Sequence, residues 1–281
     1  MFKSLKRVCK KPFIHYAKNR GKFIFTLSTG RVGTVSLTNM MNLSENCLSD
    51  HEPQSQFLEQ TKEAYHHQNE YMNQSDKFIE KYLESRIFTH SNSSQLRKSL
   101  LMGKTYSETS NRLTYIAPLL NKSLKNTKFI FLYRHPAEVV RSGMRRDYYN
   151  THPWDEYRIT PNSDDLFYDE WGKLDQFDKC CWYWRGVNEF SLKFVKSLPC
   201  ENIFKLKSED LFEPNIEKIT ELFEWAKVQM PQKDKLIDLL SKPLNKQSEG
   251  DFPFYEDWSQ KQKDRLKLFA GDLSKDLGYT L

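Results

Sequence analysis

Hydrophobic and polar positions along the chain fall into a repeated grammar of short apolar runs followed by helical spacing. The run KFIFTL at residues 22–27 is β-prone and stops at Ser28-Thr29-Gly30-Arg31-Val32-Gly33-Thr34, after which residues 34–42 read as a helix. KFIFLY at residues 128–133 ends at Arg134-His135-Pro136, and residues 137–145 again have helical apolar spacing. NIFKL at 202–206 leads into Lys207-Ser208-Glu209-Asp210-Leu211. Shorter strands are predicted at 47–49 and 100–106. One or two surface helices are predicted over 54–86, a bulky buried helix over 181–195, and amphipathic helices over 215–229 and 259–277. Residues 147–178 are aromatic, acidic and punctuated by proline, the composition of a substrate-facing insertion. Strands alternating with helices predict an α/β fold, a three-layer sandwich around a mostly parallel sheet of about four or five strands.

Composition narrows this picture. The chain has 281 residues, enough for one large domain over 22–281, and its 19 Phe, 14 Tyr and 6 Trp point to a packed core. Eight lysines and arginines precede residue 23 with no acid among them, more than the whole net charge of +6. Residues 1–21 therefore read as a solvated basic segment, with peripheral contact to an anionic membrane as the second reading. Because the basicity is local, nucleic-acid binding by the domain is not expected. Five cysteines show neither a CxxC nor a zinc-ligand pattern, and no apolar stretch approaches the roughly 18 residues of a membrane span. A soluble, cytoplasmic protein without metal is the expectation.

The loop after the first strand carries the first candidate chemistry. Ligands of parallel α/β sheets sit beyond the carboxyl ends of the strands, where a glycine turn entering a helix offers free N–H groups to an anion. Gly30 and Gly33 allow close backbone approach, Ser28, Thr29 and Thr34 add hydroxyls, and Arg31 adds charge. A Walker A loop needs lysine after its second glycine; Thr34 stands there, which disfavours a magnesium NTPase. Arg134 follows the second long strand directly, and Ser142 lies two helical turns further on, so one face can present a guanidinium and a hydroxyl to a second phosphate.

On these residues the sequence resembles a known family. FTLSTGRVGTVSL is similar to the 5′-phosphosulfate loop of sulfotransferases that use 3′-phosphoadenosine 5′-phosphosulfate (PAPS), and FIFLYRHPAEVVRSGMRR is similar to their 3′-phosphate segment. FKLKSEDLFEP, Trp258 and Leu277-Gly278-Tyr279 resemble later marks of the same family. The resemblance implies a P-loop nucleotide-kinase-like fold, PAPS as co-substrate and no metal. It implies nucleotide contacts from Ser28, Thr29, Gly30, Arg31, Val32, Gly33, Thr34 and Val35. Arg134 and Ser142 would hold the 3′-phosphate, and Lys246 would come from a closing loop. Arg31 stands where many members have lysine; tyrosylprotein and some bacterial carbohydrate sulfotransferases are similar to this chain in having arginine there.

The implied reaction is in-line sulfuryl transfer to an acceptor hydroxyl, expected on a carbohydrate or glycolipid, and it needs a base. Glu52, where Pro53 discourages helix and leaves the side chain at a strand end, is the favoured candidate. Glu108 in Tyr106-Ser107-Glu108-Thr109 resembles a Glu-Lys-Ser/Thr signature with threonine in place of lysine, and His51 is a third candidate. An ATP-dependent kinase and a non-catalytic nucleotide-binding protein are the competing function classes.

Overall fold

A computed structural model describes residues 2–54, 56–88, 94–241 and 250–281. Five strands, β1 (Lys22–Leu27), β2 (Cys47–Asp50), β3 (Thr105–Glu108), β4 (Thr127–Tyr133) and β5 (Ile203–Lys207), form one sheet in the order β2-β3-β1-β4-β5. Every neighbouring pair is parallel. Helices cover both faces, so the strands are largely buried and read as apolar runs.

Side chains alternate across the sheet with period two. Phe23, Phe25, Phe129 and Phe131, all essentially buried, share one face; Phe25 meets Tyr82 of helix Ser75–Ile87 there, and Phe129 meets Phe194 of helix Gln176–Lys196. Lys128 and Ile130 point to the opposite face, where Lys128 reaches the carbonyl of Trp225 in helix Ile216–Ala226. The carboxyl ends of all five strands lie along one edge. Chain direction changes there, because β1 is followed to one side by β2 and β3 and to the other by β4, and this is where α/β sheets bind ligands.

Three expectations change. Residues 2–20 form a helix (Phe2–Arg20) that packs on the domain rather than a solvated tail: Ala17 is buried, Lys18 bonds Asp76 at 2.7 Å, and Lys10 pairs with Glu84. The stretch 58–87 holds three helices, Leu58–His66, Gln68–Asn73 and Ser75–Ile87. The strand expected over 100–106 is instead the end of helix Gln95–Met102 followed by β3. Leu96 and Leu100 are buried four residues apart, while Leu101 and Met102 are 70% and 61% exposed, the pattern of a helix face. Gly103, at φ 65°, closes that helix in the left-handed region. A short apolar run alone could not distinguish the two.

No helix among the described residues is long and apolar enough to cross a membrane.

Candidate active site

The loop between β1 and helix Thr34–Asn42 is shaped by residues in the left-handed region, interrupted only by Val32: Gly30 at φ 74°, Arg31 at 60° and Gly33 at 91°. Glycine adopts these angles freely; arginine does so at a cost of about 1–2 kcal/mol. A Cβ on Gly30 would approach the Asn111 amide nitrogen to 3.1 Å, so the backbone lies close against the loop that follows β3.

Carbonyls of the loop are occupied by the surrounding domain. Tyr183 Oη donates to Thr29 O at 2.8 Å, Arg134 Nη1 to Arg31 O at 3.2 Å, and Ser208 Oγ to Val32 O at 2.6 Å. Thr114 accepts from the Ser28 amide at 3.0 Å and donates back to its carbonyl at 3.2 Å. The amides of residues 31–36 donate to no group among the described residues. Carbonyls engaged by the protein and N–H groups left over make a cradle for an anion, at the positive end of a helix.

One helix fixes both halves of the site. Tyr183 of Gln176–Lys196 holds the first loop, and its neighbour Trp184 donates Nε1–H to Arg134 O at 3.0 Å. Arg134 leaves β4 and makes contacts to Glu138 (2.9 Å) and the Phe212 ring (4.9 Å to its centre). Ser142, on helix Pro136–Met144, accepts from Arg31 Nε at 3.3 Å. The loop, Arg31, Arg134 and Ser142 thus open on one cavity of about 590 Å³. Phe212, 44% exposed and also on the cavity wall, offers a ring face next to Arg134 that the sequence pattern does not single out.

Charge in this cavity is lopsided. Among the described residues, Arg31, Arg112, Arg134, Arg141, Arg145, Arg146 and Arg158 line it, against Glu52 and Glu138 as acids. Burial, then the neighbouring Arg146, pulls the Arg31 guanidinium below its ordinary range, as expected where cations crowd without enough counter-charge. Arg141 and Arg145 donate to the carbonyls of Phe252 (3.0 Å) and Gly250 (2.9 Å).

The three base candidates separate clearly. Glu52 lines the cavity, has a left-handed backbone at φ 42°, and makes no hydrogen bond or ion pair with the described residues. Arg31 and Arg112 both feel its charge. His51 also lines the cavity and its Nδ1 lies 3.0 Å from Thr109 O. A carbonyl can only accept, so Nδ1 carries the hydrogen and the lone pair of the neutral ring is on Nε2, the form a base requires.

Glu108 is elsewhere. It lies inside β3 and not beyond it, is 0% exposed, and takes two bonds from Arg86 (2.9 and 2.8 Å), one from Tyr82 (2.7 Å) and one from Tyr106 (3.0 Å). Its four-fold pairing leaves no contact with the cavity, which corrects the expectation that it could serve as base. Lys246 lies outside the described residues. Among those residues no group of three His, Cys, Asp or Glu side chains could hold a metal ion. The late motif has a bracing role: Glu209 accepts from the His135 amide at 3.2 Å and from Tyr279 Oη at 2.9 Å, tying the C-terminus to the end of β4.

Asp50, at the end of β2, lies 3.1 Å from Tyr106 Oη, whose single hydrogen it shares with Glu108, and its carboxyl is pushed up to about 6, first by burial and then by Glu108. A carboxyl raised above its unfolded value near 3.9 holds its proton longer in the folded state, so folding stability falls as pH rises from about 4 to about 6. Asp50→Asn, which keeps the acceptor for Tyr106, should therefore raise the Tm by a few degrees at pH 7.5 and by less at pH 4 in calorimetric scans. An equal shift at both pH values would dismiss the burial argument.

No protein-family model and no curated protein sequence matches this chain. Solved structures do resemble it. The sulfotransferase domain from the curacin biosynthetic pathway superposes with a TM-score of 0.54 at 16% identity, over 93% of this chain and 99% of that one. The sulfotransferase domain of the Synechococcus PCC 7002 olefin synthase gives 0.54 at 15%, over 94% and 97%. Sulfotransferase STF9 from Mycobacterium avium gives 0.54 at 12%, over 98% and 81%. The chain has the sulfotransferase fold, with the five-stranded parallel sheet and P-loop-like turn described above.

Proposed function

We propose that this protein transfers a sulfuryl group from PAPS to an acceptor hydroxyl on a carbohydrate or glycolipid. The observation that carries the reading is the pairing of two anion sites on one cavity: unengaged amides at residues 31–36 with Arg31 beside them, and Arg134 with Ser142 opening on the same space. The residues fit a nucleotide with phosphates at both ends of its ribose, and the aromatic face of Phe212 lies next to Arg134 for the base or sugar. Lack of a Walker lysine at Thr34 speaks against ATP as the donor.

The donor supplies a sulfuryl group on a good leaving phosphate. The loop amides and Arg31 stabilise the charge that collects on the phosphate side as the S–O bond breaks, an electrostatic contribution of the oxyanion-hole kind. Glu52 takes the proton of the attacking hydroxyl, and His51 Nε2 is the second candidate for that proton. His51→Asn separates them, because an asparagine amide can still donate to Thr109 O but has no counterpart of Nε2.

Calorimetry tests the donor. Adenosine 3′,5′-bisphosphate should bind more tightly than AMP or ADP, and Arg134→Ala should weaken the bisphosphate about 10- to 100-fold while changing AMP little, the worth of hydrogen bonds to a charged group. Equal affinity of the parent for AMP and the bisphosphate would overturn the reading. Magnesium-dependent ATP affinity matching that of the bisphosphate would favour a kinase instead.

A further inference from the structure

We infer that the acceptor is itself anionic, carrying a phosphate, sulfate or carboxylate near the hydroxyl that receives the sulfuryl group, and that Arg112 and Arg146 hold that charge. The inference rests on the sulfotransferase reading and narrows it to a substrate class.

Two anion sites account for a donor of the proposed kind, and neither uses these two arginines. Arg112 lies in the loop after β3, and Arg146 just past helix Pro136–Met144; both line the cavity, and Arg112 is near enough to Glu52 to feel its charge. Neither guanidinium forms a hydrogen bond or ion pair with the described residues, and the Nε atom of each is inaccessible to solvent without a partner. A buried N–H without an acceptor is costly, and these half-buried guanidiniums, whose Nη groups remain accessible, offer both charge and free donors to an incoming anion. Arg158 differs: it is matched by Asp155 at 2.9 Å and stacked on Tyr148 at 3.5 Å. Of the arginines that line the cavity, Arg112 and Arg146 are the two whose guanidiniums have no hydrogen-bond acceptor among the described residues. Burial and nearby cations also hold the Arg112 guanidinium and the His152 imidazole below their ordinary ranges.

The neighbours suit an anion attached to a ring or chain. Trp154, 39% exposed, lies with its ring 4.8 Å from the Arg112 guanidinium and offers its free surface to an apolar or sugar face. His152 Nδ1 accepts from the Trp154 amide at 3.2 Å and from Arg158 Nη2 at 3.3 Å. Its neutral ring must then carry hydrogen on Nε2, a donor like the two arginines. The same cavity holds His51 with its lone pair on Nε2, beside Glu52. Donors and proton acceptors sharing one cavity are what a hydroxyl compound with a separate negative group requires.

The test uses the full chain. Glucose 6-phosphate, glucose 6-sulfate and glucuronate, with neutral glucose as reference, are titrated calorimetrically into protein saturated with adenosine 3′,5′-bisphosphate, and offered as acceptors with PAPS. At least one anionic sugar should bind about tenfold or more tightly than glucose, the difference between them naming the preferred charge. Arg112→Gln and Arg146→Gln should each abolish that preference, raising acceptor KM with little change in kcat, while bisphosphate affinity stays at the parent value and shows each variant to be folded. Anionic and neutral sugars bound alike would overturn the proposal. So would a loss of bisphosphate affinity in both variants comparable to that of Arg134→Ala, because the arginines would then serve the donor. Failure of the parent to bind the bisphosphate sinks the sulfotransferase reading instead, which keeps the two failures apart.

Discussion

Glu52→Gln should lower sulfuryl transfer from PAPS by about 10²- to 10⁴-fold in kcat, the range general-base removal produces, with Tm and bisphosphate affinity close to the parent. Geometry sets this expectation. Glu52 follows β2 at the same sheet edge as the phosphate loop, its carboxylate is unpaired among the described residues, and Arg31 and Arg112 both feel its charge. Its backbone sits at φ 42°, an angle that costs free energy in any residue other than glycine and persists where surrounding structure imposes it. Glutamine keeps the size and the backbone and removes only proton affinity. Normal turnover in Glu52→Gln combined with its loss in His51→Asn would move the base to His51. Loss in both, with unchanged Tm, would make the pair a relay in which His51 orients or receives what Glu52 takes.

Much of this site was legible in the chain because parallel sheets place chemistry by rule. Once KFIFTL and KFIFLY are read as buried strands, the residues just beyond them must lie at one edge, which brings the loop from Ser28 to Arg134 and Ser142 without any knowledge of distances. What the sequence hid was register. Ending the third strand at residue 106 makes Glu108 a loop residue beyond the sheet. The strand instead runs to Glu108, and period two then puts Tyr106 and Glu108 on the same face, under the helix that carries Tyr82 and Arg86. The same slip hid Arg112, which occupies the true strand-end loop four residues later. His152, Trp154 and Arg158 lie in the stretch 147–178 whose composition reads as substrate-facing, but composition singles out no residue, since irregular segments are positioned by contacts and not by periodicity. Arg158 stacking on Tyr148 and pairing with Asp155 is such a contact.

Glu108→Gln should act on stability where Glu52→Gln acts on turnover. Removing one partner of a fully buried ion pair leaves the other charge uncompensated, a loss of about 3–5 kcal/mol. In a chain of this size that corresponds to a fall in Tm of about 5–9 °C. The Arg86 guanidinium, whose side chain is 3% exposed, would face a neutral amide with no water to replace the carboxylate. The introduced amide oxygen still accepts from Tyr82 and Tyr106, but its NH2 group must face an Arg86 N–H, so the effect combines loss of charge with loss of one hydrogen bond. Two measurements complete the case. Turnover per folded molecule at a temperature well below the new Tm should remain within a few-fold of the parent, because Glu108 does not line the cavity. Arg86→Met combined with Glu108→Gln should be less destabilised than the sum of the single variants, since the stranded cation that dominates the single change is gone. A Glu108→Gln protein that melts like the parent yet has lost turnover would reverse both conclusions and return Glu108 to the chemistry.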